Sequence, residues 1–465
     1  MALVTTFASS PLTMYFYPPW YQKKVEAWRR GEIDWDTGKP LEGSEDGVDG
    51  VNYEKMAAEK IQRMTIYLRL DSIPNLLAFT SLFGGNAHQP APKTHPSKDI
   101  STSKETGETS LVETAPSRPV EAYGLRLLNL TDRGSSVMQV SELESYTAYD
   151  PVVNTFRTFG RLHNLAVSGE VLVVPESSFA ETLATRASDS NFLVLPWSET
   201  GGMSEQAIIE DKGTKNKLAA SSYNSFVHET LEQASIPVAV LINKNFGGSK
   251  NKEQKQRLKL TRTYSSVSLS SARDKAVTAP IADRSHHVFF PFFGGNDDRT
   301  ALRLVLQLAE NPQVTATVVH FDVPESVIGP LSTTPVSSTV LGKNGGTVTT
   351  TTASRDQDAA FFASLRASLP VDLANRVVFE TVASTSPVQD VIARASIEVG
   401  QSPKNAGDLI VLGRNVARNS VLERENTGTD EIRSSSCAAG TLGVLAEKVW
   451  EGRLGASVLV VKAGL

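Results

Sequence analysis

Glycine and carboxylate residues that directly follow an apolar segment are the part of the chain best suited to chemistry. After the run Phe289 to Phe293, the chain continues with Gly294, Gly295, Asn296, Asp297 and Asp298. Backbone amides at the start of a helix can hold an anion, and a carboxylate can accept a hydrogen bond from a ribose hydroxyl. Paired glycines suit a tight turn equally well, and an aspartate suits a helix cap equally well. The residues therefore allow a nucleotide site without requiring one.

A second glycine follows another apolar segment and completes the candidate site. Leu409 to Leu412 is a short aliphatic run, and Gly413 and Arg414 come next. Open parallel sheets bind ligands outside the carboxyl ends of their strands, at the point where the strand order reverses. We therefore expect the two glycine-containing strand ends to lie at the same edge of one sheet.

The residues around the first run predict a strand, a turn, a helix and a second strand. Phe289 to Phe293 is too short for a helix, and Gly294 ends it. The apolar positions after Asp298 recur at helical spacing as far as Asn311-Pro312. The β-branched run Val314 to Phe321 then suits a buried parallel strand. This order predicts an α/β fold.

The order of elements is repeated in the two halves of the chain. In the first half, strands are predicted at Ile61 to Leu70, Val120 to Leu130, Glu170 to Val174, Phe192 to Trp197 and Ile236 to Ile242. In the second half, strands are predicted from His286 and at Val314 to Phe321, Arg376 to Glu380, Leu409 to Leu412 and Ala456 to Val461. Helices are predicted between the strands, among them Ile73 to Phe83, Tyr149 to His163, Phe179 to Ala187 and Tyr223 to Gln233. We expect two tandem, doubly wound parallel sheets of five strands each, with helices on both faces.

Composition shifts mark the boundaries of these halves. The first domain is predicted at 61–243, with a disordered insertion at 86–119 that is rich in Pro, Ser, Thr, Lys and Glu. A basic, Ser-rich linker follows at 244–284. Its Lys250 to Arg262 stretch offers contact with anionic lipid, but a solvated linker is the preferred explanation. The second domain is predicted at 285–465, with insertions at 324–355 and 415–439.

The amino terminus has the order of residues found where a helix leaves a membrane. Met1 to Tyr17 is mostly apolar, aromatic residues cluster from Tyr15 to Tyr21, and Lys23 and Lys24 follow. A signal peptide carries its positive charges before the apolar run, so the order argues against one. We expect residues 1–20 to be the end of a transmembrane helix and residues 21–60 to be a membrane-proximal connector. The alternative is a buried amphipathic helix.

The overall composition excludes several classes of protein. A formal net charge of −5 and a pI of about 5.9 argue against a nucleic-acid partner. The single cysteine, Cys437, excludes a disulfide framework and a Cys-rich zinc site, and the histidine spacing suggests no metal site. No catalytic triad, Cys-His pair or carboxylate pair has a credible spacing, and His286 and His287 suit a structural role at a strand start. We therefore expect no catalytic residues and no metal.

Several motifs together resemble the cytosolic tail of monovalent cation/proton antiporters. In chain order they are Tyr17 to Tyr21, Leu127 to Arg133, Phe292 to Arg299 and Thr441 to Leu445. Plant cation/H+ exchangers and fungal K+/H+ antiporters are the families that the chain resembles, and the fungal type is the preferred assignment. The resemblance covers nearly the whole chain apart from the insertions. It implies a membrane transport domain followed by two domains similar to universal stress proteins.

The resemblance also implies where a nucleotide would bind. In universal stress proteins that bind AMP or ATP, a glycine-containing phosphate loop begins at the position of Gly413 and ends at the position of Gly440 and Thr441. Here Val416 replaces the second glycine of that loop, and the insertion at 415–439 separates its ends, so AMP is the better candidate ligand. The predicted nucleotide site consists of Gly294, Gly295, Asn296, Asp297, Asp298, Gly413, Arg414, Gly440 and Thr441.

Three functions follow as expectations from this resemblance. The first is a regulatory, dimerising cytosolic domain of a K+/H+ antiporter in cation and pH homeostasis, with no transport activity of its own. The second is an AMP- or ATP-binding module of the universal stress type, and the third is a trafficking or scaffold domain. The expected partners are the transport domain of the same antiporter and a second copy of the chain. The expected location is the cytosolic face of an endomembrane, with the isolated chain largely soluble.

Overall fold

The structure is a computed structural model, and every residue it describes belongs to the unit Asn52–Leu465. The described residues are 53, 59–84, 95, 120–130, 147–199, 201–203, 205, 218, 221–244, 246, 285–323, 350–400, 407–414, 437–452 and 454–464. The predicted membrane helix at 1–20 and the basic stretch Lys250 to Arg262 lie outside the described residues. The same holds for Val416 and for most of the predicted connector at 21–60.

The first half contains five parallel strands in the order β3-β2-β1-β4-β5. These strands are β1 Arg63–Tyr67, β2 Glu121–Asn129, β3 Ala166–Val174, β4 Phe192–Pro196 and β5 Val238–Ile242. The helices are α1 Ile73–Ser81, α2 Pro151–Leu162, α3 Phe179–Ala187 and α4 Ser221–Gln233. The strand order reverses between β1 and β4, so the carboxyl ends of these two strands frame a crevice.

The second half repeats this order as β8-β7-β6-β9-β10. Its strands are β6 His286–Phe292, β7 Val314–Asp322, β8 Val377–Ala383, β9 Leu409–Gly413 and β10 Ser457–Lys462. Its helices are α5 Asn296–Ala309, α6 Thr350–Ala367, α7 Val371–Arg376, α8 Pro387–Glu398, α9 Cys437–Leu442 and α10 Val444–Glu451. Here the order reverses between β6 and β9.

The two halves are joined edge to edge into one sheet of ten strands. Strands β5 and β10 pair antiparallel, with Val240 opposite Val460. The α/β fold with a mostly parallel sheet is therefore confirmed, whereas the expectation of two separate five-stranded sheets is corrected. The physical reason is that β5 is entirely buried and β10 nearly so. If the two strands did not pair, each would have unpaired backbone N–H and C=O groups at the edge of a sheet. Because the junction is antiparallel, the strands of the two halves run in opposite directions. Their carboxyl ends therefore lie on opposite sides of the sheet.

One apolar core continues across this junction. Leu195 and Val240 of the first half belong to the same buried cluster as Ile410 and Val460 of the second half. Helices α4 and α9 also contact each other across the boundary. The halves are therefore joined by shared apolar burial in addition to the β5–β10 ladder.

Most predicted elements are present, with shifted ends. Strand β3 begins at Ala166 rather than Glu170, and Arg376 ends helix α7 instead of beginning a strand. Helix α6 begins at Thr350, inside the insertion expected at 324–355. Neither Asp297 nor Asp298 occupies the N-cap of α5, because Gly295 takes that position at a φ of 92°.

Candidate functional site

The structure brings the two predicted glycine-containing strand ends to the same edge. Strand β6 pairs with β9, with Val288 opposite Leu409 and Phe289 opposite Ile410. Gly294 to Asp298 therefore follow the strand next to the one that ends at Gly413. We call this set, together with Arg414, the glycine-aspartate edge.

An internal carboxylate already occupies the amide end of this turn. The Gly295 N–H donates to Asp358 Oδ2 at 3.1 Å, and Asp358 Oδ1 lies 2.6 Å from Arg299 Nη2. Asp358 is buried and comes from helix α6. Gly294 has a φ of 92°, and a Cβ there would lie 2.1 Å from Asp358 Oδ2. The turn thus holds an anion, and that anion belongs to the protein.

The two aspartates brace the surrounding backbone. Asp298 is buried, and its Oδ2 accepts from the Phe293 N–H at 2.8 Å. Asp297 Oδ1 accepts from the Ala463 N–H at 2.7 Å, just after β10. Asn296, by contrast, begins helix α5 with an exposed side chain. The carboxylates predicted to meet a ribose are therefore engaged with main-chain donors.

Arg414 connects the ends of the predicted phosphate loop and crosses to the first half. Its Nε donates to the Thr441 carbonyl at 2.8 Å, and its Nη1 lies 2.8 Å from Glu232 Oε1 on helix α4. This guanidinium holds the pKa of the Glu232 carboxyl below its usual range. Gly413 pairs with Val461 in the sheet, and Gly440 is exposed with open space where a Cβ would lie. Arg414 and Thr441 are thus brought together as predicted, while the side chain of Arg414 is committed to internal partners.

The equivalent crevice of the first half is filled by a buried ion pair. Arg69 Nε donates to Asp71 Oδ1 at 3.0 Å, and Nη2 donates to Asp71 Oδ2 at 3.1 Å. The guanidinium also reaches Ser198 Oγ at 3.2 Å and lies 4.8 Å from the ring centroid of Tyr223. Burial raises the pKa of Tyr223, so its ring stays neutral beside the cation. Sequence reasoning missed Arg69 because it stands at the end of a predicted strand, where an exposed charge is ordinary.

Helix α5 joins the glycine-aspartate edge to the segment that precedes β1. Gln307 Oε1 accepts from the Ile61 N–H and Gln307 Nε2 donates to the Ile61 carbonyl, both at 2.9 Å. Arg303 Nη1 lies 2.6 Å from Glu59 Oε2, and Glu310 Oε1 lies 2.7 Å from Lys60 Nζ. Arg303, Gln307 and the C-cap residue Glu310 recur at helical spacing, so they lie on one side of α5. We call these contacts the α5 clamp.

A further cluster combines residues far apart in the chain. His95, His287 and Glu398 place their ligand-type atoms within 4.8 Å of one another, and each residue is less than 10 % exposed. Hydrogen bonding by His287, burial and hydrogen bonding by Thr317 act together on the Glu398 carboxyl, and the net effect lowers its pKa. The expectation that histidine spacing suggests no metal site did not consider this set. No local spacing reveals it, because His95 belongs to the insertion expected at 86–119.

Comparison with curated proteins identifies cation/proton transporters as relatives. Cation/H(+) antiporter 17 of Arabidopsis thaliana is 23% identical over 43% of this chain and 22% of its own length. Cation/H(+) antiporter 18 of the same plant is 23% identical over 73% of this chain and 33% of its own length. The expected resemblance to plant cation/H+ exchangers is thereby confirmed. The matches span about a fifth to a third of the relatives' length, and the narrower fungal assignment stays a prediction.

Comparison with solved structures gives universal stress proteins. One from Archaeoglobus fulgidus DSM 4304 has a TM-score of 0.38 and 13% identity, and covers 86% of this chain and 96% of its own. A putative universal stress protein from Pseudomonas aeruginosa UCBPP-PA14 has a TM-score of 0.35 and 12% identity, with coverage of 88% and 95%. No family model matches the sequence. Among the described residues, no helix combines the length and the apolarity needed to cross a membrane.

Proposed function

We propose that the chain is the regulatory cytosolic part of a monovalent cation/proton antiporter, with K+ and H+ as the exchanged ions. Its support is the similarity to plant cation/H+ antiporters over 43% to 73% of the chain. In this proposal the transport domain of the same protein is the partner. The chain itself carries neither transport nor catalysis, and it lies at the cytosolic face of an endomembrane.

The α5 clamp is the observation that carries the regulatory role. Helix α5 starts at the glycine-aspartate edge and holds Glu59, Lys60 and Ile61 near its other end. Glu59 and Lys60 end the segment predicted to connect to the membrane, and Ile61 follows it directly. A change at the edge that moves α5 therefore moves the last residues of the connector with it.

The α5 clamp is weak enough to open and close reversibly. The two hydrogen bonds between Gln307 and Ile61 contribute about 1 kcal/mol each. The ion pairs of Arg303 and Glu310 are partly exposed and contribute up to about 1 kcal/mol each. A total of about 2–4 kcal/mol corresponds to a population ratio of roughly 30 to 1000. A ligand or partner with that much preference for one arrangement would be able to shift the equilibrium.

Removing the chain from its transport domain tests this proposal. Cation/proton exchange would be measured in vesicles containing equal amounts of the antiporter with and without residues 61–465. We expect the dependence of exchange on cytosolic-side pH or K+ to change when the chain is absent. Identical rates and identical dependences in the two preparations would refute the regulatory role. Failure of only the shortened protein to reach its membrane would favour the trafficking role instead.

A second candidate function, AMP or ATP binding, is favoured by the ability of the turn at the glycine-aspartate edge to hold an anion. The Gly295 amide holds the Asp358 carboxylate, so the turn has the polarity that a phosphate requires. A nucleotide would have to displace this carboxylate and its ion pair with Arg299. We therefore expect AMP to bind weakly, and binding to be weakened further by Asp297→Ala or Gly413→Val. Calorimetry that records no heat with either nucleotide would exclude this function.

The outer strands of the described sheet bear on how the predicted homodimer would form. Strands β5 and β10 pair with each other at the junction of the two halves, and among the described strands β3 and β8 are the outer ones. We propose that a second copy, where it binds through the sheet, uses one of these edges. Sedimentation of the purified chain would give its oligomeric state, and a monomer at all concentrations would contradict the dimer.

A further inference from the structure

The cluster of His95, His287 and Glu398 has the composition of a metal site. Imidazole nitrogen and carboxylate oxygen are ligands that Zn²⁺ accepts, and two histidines with one glutamate form a known set of three protein ligands. The three side chains come from the 86–119 insertion, from strand β6 and from the end of helix α8. All are buried, which protects a coordinated ion from exchange with solvent.

The distances within the cluster are close to those of a coordinated ion. His287 Nε2 lies 3.5 Å from Glu398 Oε2. With metal–ligand bonds of about 2.0–2.1 Å, ligand atoms of a tetrahedral Zn²⁺ are about 3.3 Å apart. The widest separation in the set is within 4.8 Å, so closure needs side-chain shifts on the order of 1 Å.

The Thr317 hydroxyl contacts all three ligand atoms. Its Oγ1 lies 2.9 Å from His95 Nε2, 3.0 Å from Glu398 Oε2 and 3.4 Å from His287 Nε2. The hydroxyl has one proton to donate, and in this arrangement it donates that proton to Glu398. The Nε2 atoms of both imidazoles, which would coordinate a metal, then point toward the Thr317 hydroxyl oxygen. A cation that replaces the protons of these hydrogen bonds would be bound by both imidazoles and the Glu398 carboxylate together. The Thr317 oxygen would lie beside it.

The surrounding contacts orient the ligands in the way that metal sites require. His287 Nδ1 lies 2.9 Å from Thr315 Oγ1, so the other ring nitrogen is directed into the cluster. Histidine ligands commonly hold their second ring nitrogen in such a hydrogen bond, which fixes the ring orientation. The His95 backbone N–H donates to the Asn375 carbonyl at 3.1 Å, which holds His95 beside the second half.

We propose that His95, His287 and Glu398 bind a divalent transition metal ion, with Zn²⁺ as the preferred ion, and that the ion fastens His95 to the second half of the chain. The role is structural, because the ligands are buried and lie at the amino end of β6, away from the glycine-aspartate edge. The bound ion links the two halves at a place distinct from the β5–β10 ladder. Loss of the ion releases His95 without unfolding the sheet.

The test is metal binding by the full chain after removal of metal with a chelator. Titration with Zn²⁺ against a chromogenic chelator is expected to give one ion per chain for the unmodified protein. His95→Ala and Glu398→Gln are expected to weaken binding by at least about tenfold. His228→Ala is the matched control, because His228 is exposed on α4 and outside the cluster, and it is expected to bind like the unmodified protein. Binding that is absent, or equal in His95→Ala and His228→Ala, would overturn the proposal.

Protease protection provides a readout that does not depend on affinity alone. We expect Zn²⁺ to slow cleavage within 86–119 in the unmodified chain and in His228→Ala. In His95→Ala it should have no effect, while circular dichroism shows the same secondary structure. Because His95 lies outside every described strand and helix, we expect its replacement to preserve the secondary structure. Protection by Zn²⁺ that persists in His95→Ala would assign the ion to another site.

Discussion

The substitution Gly294→Ala examines whether an internal carboxylate fills the glycine-aspartate edge. Gly294 has a φ of 92°, where an L-residue costs roughly 1–2 kcal/mol. The added Cβ would lie 2.1 Å from Asp358 Oδ2 and must displace that side chain. Displacement breaks its hydrogen bond with Gly295 and its ion pair with Arg299, and a hydrogen bond to a charged group contributes about 1.5–3 kcal/mol. We expect a loss of about 3–5 kcal/mol of unfolding free energy.

The assay is urea denaturation followed by circular dichroism, with a double-mutant cycle. Asp358→Ala removes the atom that the new methyl group meets. The loss in the double variant should therefore be smaller than the sum of the single losses by about 1–3 kcal/mol. Gly440→Ala is the matched control, because a Cβ there meets nothing within 4 Å and alanine favours a helix by up to about 1 kcal/mol. Additive losses, or equal stability of Gly294→Ala and Gly440→Ala, would refute the reasoning.

Two further predictions concern charges in and between the halves. Arg69→Met leaves Asp71 buried without its cation and should cost about 3–5 kcal/mol in denaturant titration, whereas Arg63→Met, which breaks an exposed pair with Glu121, should cost less than about 1 kcal/mol. Equal costs would contradict the buried network. Glu232→Gln removes a carboxyl whose pKa is lower in the folded protein than in the unfolded chain. The ionised carboxyl therefore stabilises the fold above the ordinary pKa of about 4.3. This stabilisation disappears as the pH falls through the lower pKa of the folded protein. Stability curves of the two proteins should therefore converge in acid; a constant difference down to that range would contradict the assigned cause.

Local patterns were sufficient to predict the elements that carry the glycine-aspartate edge. The phenylalanine run, Gly294, the helical spacing after Asp298 and the run Val314 to Phe321 correspond to β6, the turn, α5 and β7. These elements are determined by residues close to one another in the chain, so the local pattern of apolar residues and glycines is sufficient to predict them. The placement of Gly413 next to this turn followed from the repeat of strands, and the pairing of β6 with β9 agrees with it.

Long-range partners were beyond the same reasoning. Strands β5 and β10 are apolar in sequence, but nothing in an apolar strand specifies which edge it will meet, so the continuous sheet was missed. His95 stands in a segment of disordered composition, and only the folded chain shows it beside His287. Asp358 lies just after the insertion expected at 324–355, and no helix was predicted there. Nothing in the sequence therefore indicated that its carboxylate would accept a hydrogen bond from the glycine turn.

The α5 clamp is where the regulatory account is tested most directly. The measurement is cation/proton exchange by the intact antiporter in vesicles, compared between Gln307→Ala and the unmodified protein at matched amounts. Gln307→Ala removes both hydrogen bonds to Ile61, whereas the control Lys448→Ala removes only an exposed pair with Glu451 on α10. The account predicts a shifted pH or K+ dependence of exchange for Gln307→Ala and none for Lys448→Ala. Unchanged exchange in Gln307→Ala would contradict it.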